Sequence, residues 1–586
     1  MSRRAIGCVV SVGLCVLIWA TVITRTGSDT HLEMRSAAIA PWMLAQSPVL
    51  VSPDGRELLQ KRDYGLQSEM VVSDLVSGRV IGTHRGSFQL LIAWRPPGRE
   101  ISFLEDRYGD ARFKLKLWTP LTGEFRSPPI PGEWLAADRL MKWSPDGMAL
   151  AFRAITKTGE RLALFEPALG AVRFLAQVPE LLKIAWSPDG KLIAVTWRGS
   201  AGVFAIVDVR SGGKREIVAQ DGAELNDIAW SADGEQVLVS GRAPGGGGYR
   251  LIAVGANGGL PKIVSGAGQS VASPLLVAGN DLLYHSQFDG NVHLVRGQLG
   301  QPFELFGPTD GIVAAFGVNR TMNAVIASYT SPLVPRCIVA IDLDTAAVTS
   351  LRHFQQQRIA LAPEALRVMC RDGGEIVGYI WRAAQQPSRG AVIKFPTLHG
   401  SHPPSAFDGG CQYLINRGYD YVTFDFLARD APPKDVYDIS ERDIDAALGL
   451  VEHVQQVTGL AQDRIVLMGE SNGTRYVART AARLKPMRGG LVLRGIPGDV
   501  DYGNLFDGHE FVIGALQGEN DPLCSPKDSF ASVRRAFGRG SLSGAMGFSV
   551  VLKMEGHTPR RLGSKAIVIS AIEEVLERLR GNVPAQ

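Results

Sequence analysis

One five-residue phrase recurs down the first half of this chain, and its interval constrains the fold more than any other feature. The copies are Val51-Ser52-Pro53-Asp54-Gly55, Trp94-Arg95-Pro96-Pro97-Gly98, Trp143-Ser144-Pro145-Asp146-Gly147, Trp186-Ser187-Pro188-Asp189-Gly190 and Trp230-Ser231-Ala232-Asp233-Gly234. Their closing glycines lie 43, 49, 43 and 44 residues apart. That period matches one four-stranded β-propeller blade per repeat. Within a copy, a Pro-Asp-Gly turn leads into a short apolar strand such as 192–195. A loop, a second strand such as 203–209 and a turn such as Ser211-Gly212-Gly213 follow. Degenerate copies near Gly279-Asn280 and Asn319-Arg320 bring the count to seven. A seven-bladed β-propeller is therefore expected over residues 45–357. The repeated Trp and Asp residues read as packing and turn-capping groups. Glycines 245–248 read as a slack hairpin connection, in preference to a rim loop over a ligand. Glu105-Asp106-Arg107 reads as a solvated charge cluster, in preference to a site for a peptide amine.

Around Pro363 the period stops and a different grammar begins. Strands at 375–381, 391–395 and 420–425 alternate with helices around 412–414 and over 440–456, the pattern of a mostly parallel sheet covered on both faces. It leads to Ile465-Val466-Leu467-Met468-Gly469-Glu470-Ser471-Asn472-Gly473. The four apolar residues read as a buried strand. Gly-x-Ser-x-Gly is the nucleophile-elbow pattern, in which a strand turns sharply into a helix with a serine at the bend. Gly469 and Gly473 fit the crowding where the helix start crosses the strand. A helix over 474–484 would set its N-terminus beneath Ser471 and favour developing negative charge there.

A serine nucleophile needs a base, and the base needs a carboxylate to hold its tautomer. In the α/β-hydrolase order the acid and then the histidine follow the serine. Only His509 and His557 lie downstream. His557, in Glu555-Gly556-His557-Thr558-Pro559, falls between an apolar strand at 548–552 and the last helix at 565–580, whereas His509 precedes a strand. Asp521, in Gly518-Glu519-Asn520-Asp521-Pro522 after a strand at 511–516, is the acid. Asp528 is the reserve, on the next helix; Asp499, Asp501 and Asp507 are weaker.

At 586 residues the chain is too long for one ordinary domain, and 45% hydrophobic with 20% charged residues is a globular composition. A net charge of +4, with basic residues spread along the chain, gives no support to a nucleic-acid partner. Arg3 and Arg4 precede an uncharged run over 5–24 that Arg25 closes, long enough to span a bilayer. Residues 1–25 are expected to be a signal anchor or signal peptide and 26–44 a linker. The body would then lie on the periplasmic side of the inner membrane, held through the N-terminal segment, or be secreted if cleavage follows a site such as Ala38-Ile39-Ala40. Cys337, Cys370, Cys411 and Cys524 lack metal-ligand spacing and leave room for one or two disulfides.

The repeats resemble TolB-like, WD-type propellers. Together the two halves resemble the prolyl oligopeptidase family of serine peptidases, in which a propeller precedes a C-terminal α/β-hydrolase domain, here 358–586. The residues carrying the resemblance are Asp372-Gly373, His399-Gly400-Ser401-His402-Pro403, the run from Gln412 to Tyr419, the elbow, Gly518-x-x-Asp521 and Gly556-His557. The resemblance implies a triad of Ser471, Asp521 and His557, with the backbone N–H of Asn472 as one oxyanion donor. The second donor would come from the stretch at His399 and Gly400, where relatives carry Gly-Gly-Pro or Tyr-Gly-Gly. Thr474 stands where relatives have a further glycine, and the 50 residues from Ser471 to Asp521 make a short connection. The expected function is a serine peptidase that cleaves short peptides through an acyl-enzyme on Ser471, beneath an enclosing propeller and without metal or cofactor. An esterase on the same fold, or a non-enzymatic propeller adaptor with a decayed hydrolase domain, are the alternatives.

Overall fold

The structure, a computed structural model, describes Ile39 and most of residues 49–581. Outside the description lie the remaining terminal residues and internal segments, of which those of six residues or more are 107–112, 129–139, 244–249, 354–360, 398–405, 427–438, 503–509 and 540–546. Among the described residues, strands from Val49–Val51 to Val348–His353 form five four-stranded sheets and one eight-stranded sheet. Each four-stranded sheet is a run of consecutive antiparallel strands, as in Leu181–Trp186, Leu192–Trp197, Val203–Asp208 and Lys214–Val218. The eight-stranded sheet runs from Ser270–Leu276 to Val348–His353, and a single parallel pair, Val292 with Ile312, joins its halves.

The repeated phrase builds these sheets in two ways. Its Ser and Asp close the turn: Ser187 Oγ donates to Asp189 Oδ1 at 2.7 Å, which also accepts from the Lys191 amide at 3.1 Å, and Leu192 N–H donates back to Ser187 Oγ at 2.9 Å. The Ser187 hydroxyl and then the Lys191 amide hold the Asp189 carboxyl down at about 2. The tryptophan ties neighbouring sheets. Trp186 Nε1 donates to the Lys142 carbonyl at 2.9 Å, and Trp230 Nε1 to the Ala185 carbonyl at 3.1 Å, each acceptor lying just before the preceding copy's tryptophan. At the ends of the series other groups take over. Asn319 Nδ2 donates to the Gly55 carbonyl at 2.7 Å and Arg352 Nη1 to Ser73 Oγ at 2.7 Å, tying the last sheet to the first.

The C-terminal sheet has eight strands: β1 (Glu364–Met369), β2 (Glu375–Trp381), β3 (Ala391–Lys394), β4 (Asp420–Phe426), β5 (Ile465–Glu470), β6 (Arg488–Arg494), β7 (Glu510–Gly518) and β8 (Gly547–Leu552), in spatial order 1-2-4-3-5-6-7-8. β2 is antiparallel to β1 and β4, and the rest of the sheet is parallel. Helices α1 (Gly409–Asn416) and α5 (Leu562–Leu579) cover one face; α2 (Glu441–Thr458), α3 (Gly473–Arg483) and α4 (Pro526–Arg539) cover the other. Alternation along β5 serves both: Ile465 and Leu467 pack with Ile444, Leu450 and Val477, while Val466 and Met468 pack with Leu414, Ile572 and Leu576. The buried Gln412 of α1 donates to the Leu361 and Pro332 carbonyls, and Phe407 N–H donates to Thr330 Oγ1 at 3.3 Å, joining this unit to the last propeller-half sheet.

Two linked expectations need correcting. The membrane anchor over 5–24, and the inner-membrane, periplasmic placement built on it, do not stand. No helix among the described residues is long and apolar enough to cross a membrane. The two 18-residue helices, α2 and α5, show why: both carry charges, among them Glu441 and Asp443 on α2 and Glu573, Glu574 and Glu577 on α5. Residues 5–24 lie outside the described residues. Ile39, within the stretch expected as a linker, is fully buried and packs in the core beneath α1 and α5. Cys337, Cys370, Cys411 and Cys524 form no disulfide among the described residues.

Candidate active site

The nucleophile elbow forms because β5 and α3 meet at very short range. A Cβ on Gly469 would stand 2.5 Å from the Gly473 carbonyl oxygen, and one on Gly473 would stand 3.1 Å from that of Pro396. Ser471 between them is bent into the left-handed region, φ +51°, which costs a non-glycine residue about 1–2 kcal/mol. Its amide donates to the Arg494 carbonyl at 2.8 Å. Its carbonyl accepts from the Thr474 amide at 3.0 Å and from Thr474 Oγ1 at 2.6 Å, and Tyr502 Oη donates to that hydroxyl at 3.2 Å. Thr474, a departure from the resembled motif, thus fastens the bend with a bond no glycine could make.

The other two members sit on loops after β7 and β8 that touch through their backbones. Asn520 N–H donates to the Glu555 carbonyl at 2.9 Å and Glu519 N–H to that of Leu552 at 2.9 Å. Gly518 permits this approach, since a Cβ there would lie 2.0 Å from the Gly556 carbonyl oxygen. His557 Nδ1 is 2.9 Å from Asp521 Oδ2, and His557 Nε2 is 2.7 Å from Ser471 Oγ. A carboxylate can only accept, so Nδ1 carries the ring proton and Nε2 is free to accept from the serine hydroxyl. The Asp521 side chain is wholly buried. Oδ1 accepts from the Leu523 and Cys524 amides, each at 2.9 Å, and Oδ2 accepts from Gln517 Nε2 at 2.6 Å as well as from His557. Gln517 is held in turn, donating to the Cys524 carbonyl at 2.7 Å and accepting from Ile496 N–H at 2.9 Å.

The structure therefore brings Ser471, Asp521 and His557 together as the sequence reading expected, with Asn472 buried at the start of α3. Asp528 falls in the first turn of α4. His399 and Gly400 lie outside the described residues, as do Asp499, Asp501, Asp507 and His509. Sequence reasoning missed Gln517 and Arg494. Gln517 sits at a strand end with no motif around it. Arg494 closes a strand whose two glycines, Gly489 and Gly490, interrupt the apolar run. Among the described residues, Asp521, Cys524 and His557 bring metal-ligating atoms within 4.8 Å of one another. The Asp and His are already bonded to each other, and Cys524 Sγ donates toward the Gly495 carbonyl at 3.6 Å.

Strand order, elbow and Ser–His–Asp geometry together define a serine hydrolase on an α/β-hydrolase scaffold. Comparison with solved structures extends the likeness across both halves. A puromycin-hydrolysing peptidase from Mycobacterium tuberculosis is 15% identical, with a TM-score of 0.73 over 94% of this chain and 97% of that one. A structure from a study of two prolyl endopeptidases is 13% identical, with a TM-score of 0.73 over 94% and 92%. The acylaminoacyl peptidase of Pyrococcus horikoshii is 11% identical, with a TM-score of 0.67 over 90% and 94%. The fold is that of the prolyl oligopeptidase family. No family model and no curated protein matches the chain in sequence.

Proposed function

We propose that this chain is a serine peptidase of the prolyl oligopeptidase type, acting on short peptides. Ser471 attacks the scissile carbonyl, His557 Nε2 takes its proton and later returns it to the leaving amine, and Asp521 fixes the ring and stabilises the imidazolium. The amide of Asn472, at the N-terminus of α3, donates to the developing oxyanion. The observation that carries the reading is the unbroken chain Ser471 Oγ to His557 Nε2, 2.7 Å, and His557 Nδ1 to Asp521 Oδ2, 2.9 Å, with the serine presented on a positive-φ elbow. We take the strands before Val348–His353 as seven four-stranded blades; the single parallel pair inside the eight-stranded sheet supports counting that sheet as two. Peptidase is preferred to esterase because the likeness to peptidases spans the propeller half as well as the catalytic half.

Fluorophosphonate labelling tests the chemistry. Wild-type protein should label on Ser471, and Ser471→Ala should lose labelling and turnover while keeping its melting temperature; persistent labelling would refute the assignment. Digestion of a peptide library then separates peptidase from esterase. Placing one cleaved sequence in a short peptide and in a rigid loop of a folded carrier tests the enclosing propeller. Equal rates on the two would remove the size restriction.

A further inference from the structure

The triad's serine and histidine come from loops far apart in sequence, and the hydrogen bond between their side chains does not by itself fix one backbone against the other. Arg494, at the end of β6, does touch both. Its carbonyl accepts the Ser471 amide at 2.8 Å. Its guanidinium, nearly buried, pairs through Nη2 with Glu470 Oε2 at 2.9 Å and donates through Nη1 to the His557 carbonyl at 2.8 Å. Glu470 is the residue immediately before the nucleophile, and it lies opposite Arg494 in the parallel register of β5 and β6. The planar fork of a guanidinium makes two bonds in fixed relative directions, which an ammonium cannot. Lys394, at the end of β3, interacts with the same carboxylate. Burial opposes its charge, but Glu470 and then Asp408 outweigh that and hold its ammonium above the usual range.

We propose that Arg494 is a positioning residue for the reaction, a brace that fixes the His557 loop to the nucleophile strand and so sets the distance from Ser471 to its base. The inference rests on the serine-hydrolase reading. A base held off its working position loses rate in the chemical step and leaves substrate binding alone, and a displacement of about 1 Å costs about a hundredfold. Arg494→Met removes both bonds. Arg494→Lys keeps a cation opposite Glu470 but reaches only one partner at a time.

The experiment measures kcat and KM of full-length protein on a chromogenic short ester, with active sites counted by fluorophosphonate. Arg494→Met should lower kcat per labelled site by about tenfold to a hundredfold, with KM within about twofold, and Arg494→Lys should fall between it and wild type. A purely structural role predicts fewer labelled sites with wild-type kcat at each, and that result overturns the proposal. Should Arg494→Met fail to fold, Arg494→Lys decides alone: unchanged kcat per site overturns the proposal, and a loss at constant KM supports it. Wild-type protein that does not label defeats the hydrolase reading and the brace together. Labelled wild type with an indifferent Arg494 variant defeats only the brace.

Discussion

Replacing Gln517 with leucine removes three hydrogen bonds from behind the acid of the triad, and the consequences can be worked from the contacts. The side chain is fully buried; it donates to the Asp521 carboxylate and to the Cys524 carbonyl and accepts from Ile496 N–H. The bond to a charged group accounts for about 1.5–3 kcal/mol, and each buried backbone group left without a partner costs about 1–3 kcal/mol. After partial relaxation the sum is roughly 4–6 kcal/mol, a large share of the ~5–15 kcal/mol that holds a typical protein folded. Activity should suffer less than stability, because Oδ1 of Asp521 stays anchored by two backbone amides. Turnover per labelled site should fall about tenfold. Gln517→Glu separates polarity from shape: it keeps an acceptor for Ile496 but sets two carboxyls side by side. It should be least stable near neutral pH and recover on acidification as one carboxyl protonates. Urea unfolding followed by tryptophan fluorescence reads the stability. A shift for Gln517→Leu below about 1 kcal/mol, with turnover unchanged, would refute the reasoning.

At the elbow, Gly469→Ala should abolish labelling and lower the melting temperature strongly, whereas Gly473→Ala should be milder, since its Cβ would meet the Pro396 carbonyl at 3.1 Å and not a backbone oxygen at 2.5 Å. Equal effects would disprove the packing argument. Asn319→Ala breaks the bonds to Gly55 and from Met322 and should cost about 2–3 kcal/mol, visible as early loss of the propeller-half transition in a thermal melt. Asp189 is depressed to about 2, so its share of stability is fully present above its unfolded value of 3.8 and is lost as pH falls through about 2. Asp189→Asn should melt lower near neutral pH and lose less than wild type across that acid window.

What the sequence made legible was local. The Ser-Pro-Asp-Gly turns announce themselves because each Ser–Asp pair closes a loop within five residues, and Gly469, Ser471 and Gly473 because sterics at a strand–helix bend allow few alternatives. Asp521 and His557 followed from chain order and strand-end position. What escaped was contact that no motif marks. Gln517 reaches Asp521 only four residues on but stands in no recognisable pattern, and Arg494 acts on His557 across two strands, where no spacing can be detected. β1, an edge strand of alternating exposure, and β6, broken by two glycines, lacked the apolar run that marked β5. Thr474 looked like a lapse from a motif until its hydroxyl was seen bonded to the Ser471 carbonyl. The N-terminal apolar run suggested a membrane, because hydropathy and length cannot distinguish the fates open to such a stretch.

The positive φ of Ser471 bears on the idea that the catalytic half is a relic. A left-handed serine carries about 1–2 kcal/mol that glycine at the same bend would not, against about 0.5–1 kcal/mol for the greater freedom of glycine in the unfolded chain. The balance favours Ser471→Gly, which should melt slightly higher than wild type while losing all labelling. A domain released from chemistry has a one-residue route to greater stability here. A serine held in that geometry, bonded to a histidine that is itself bonded to a buried aspartate, trades that stability for a hydroxyl placed to react.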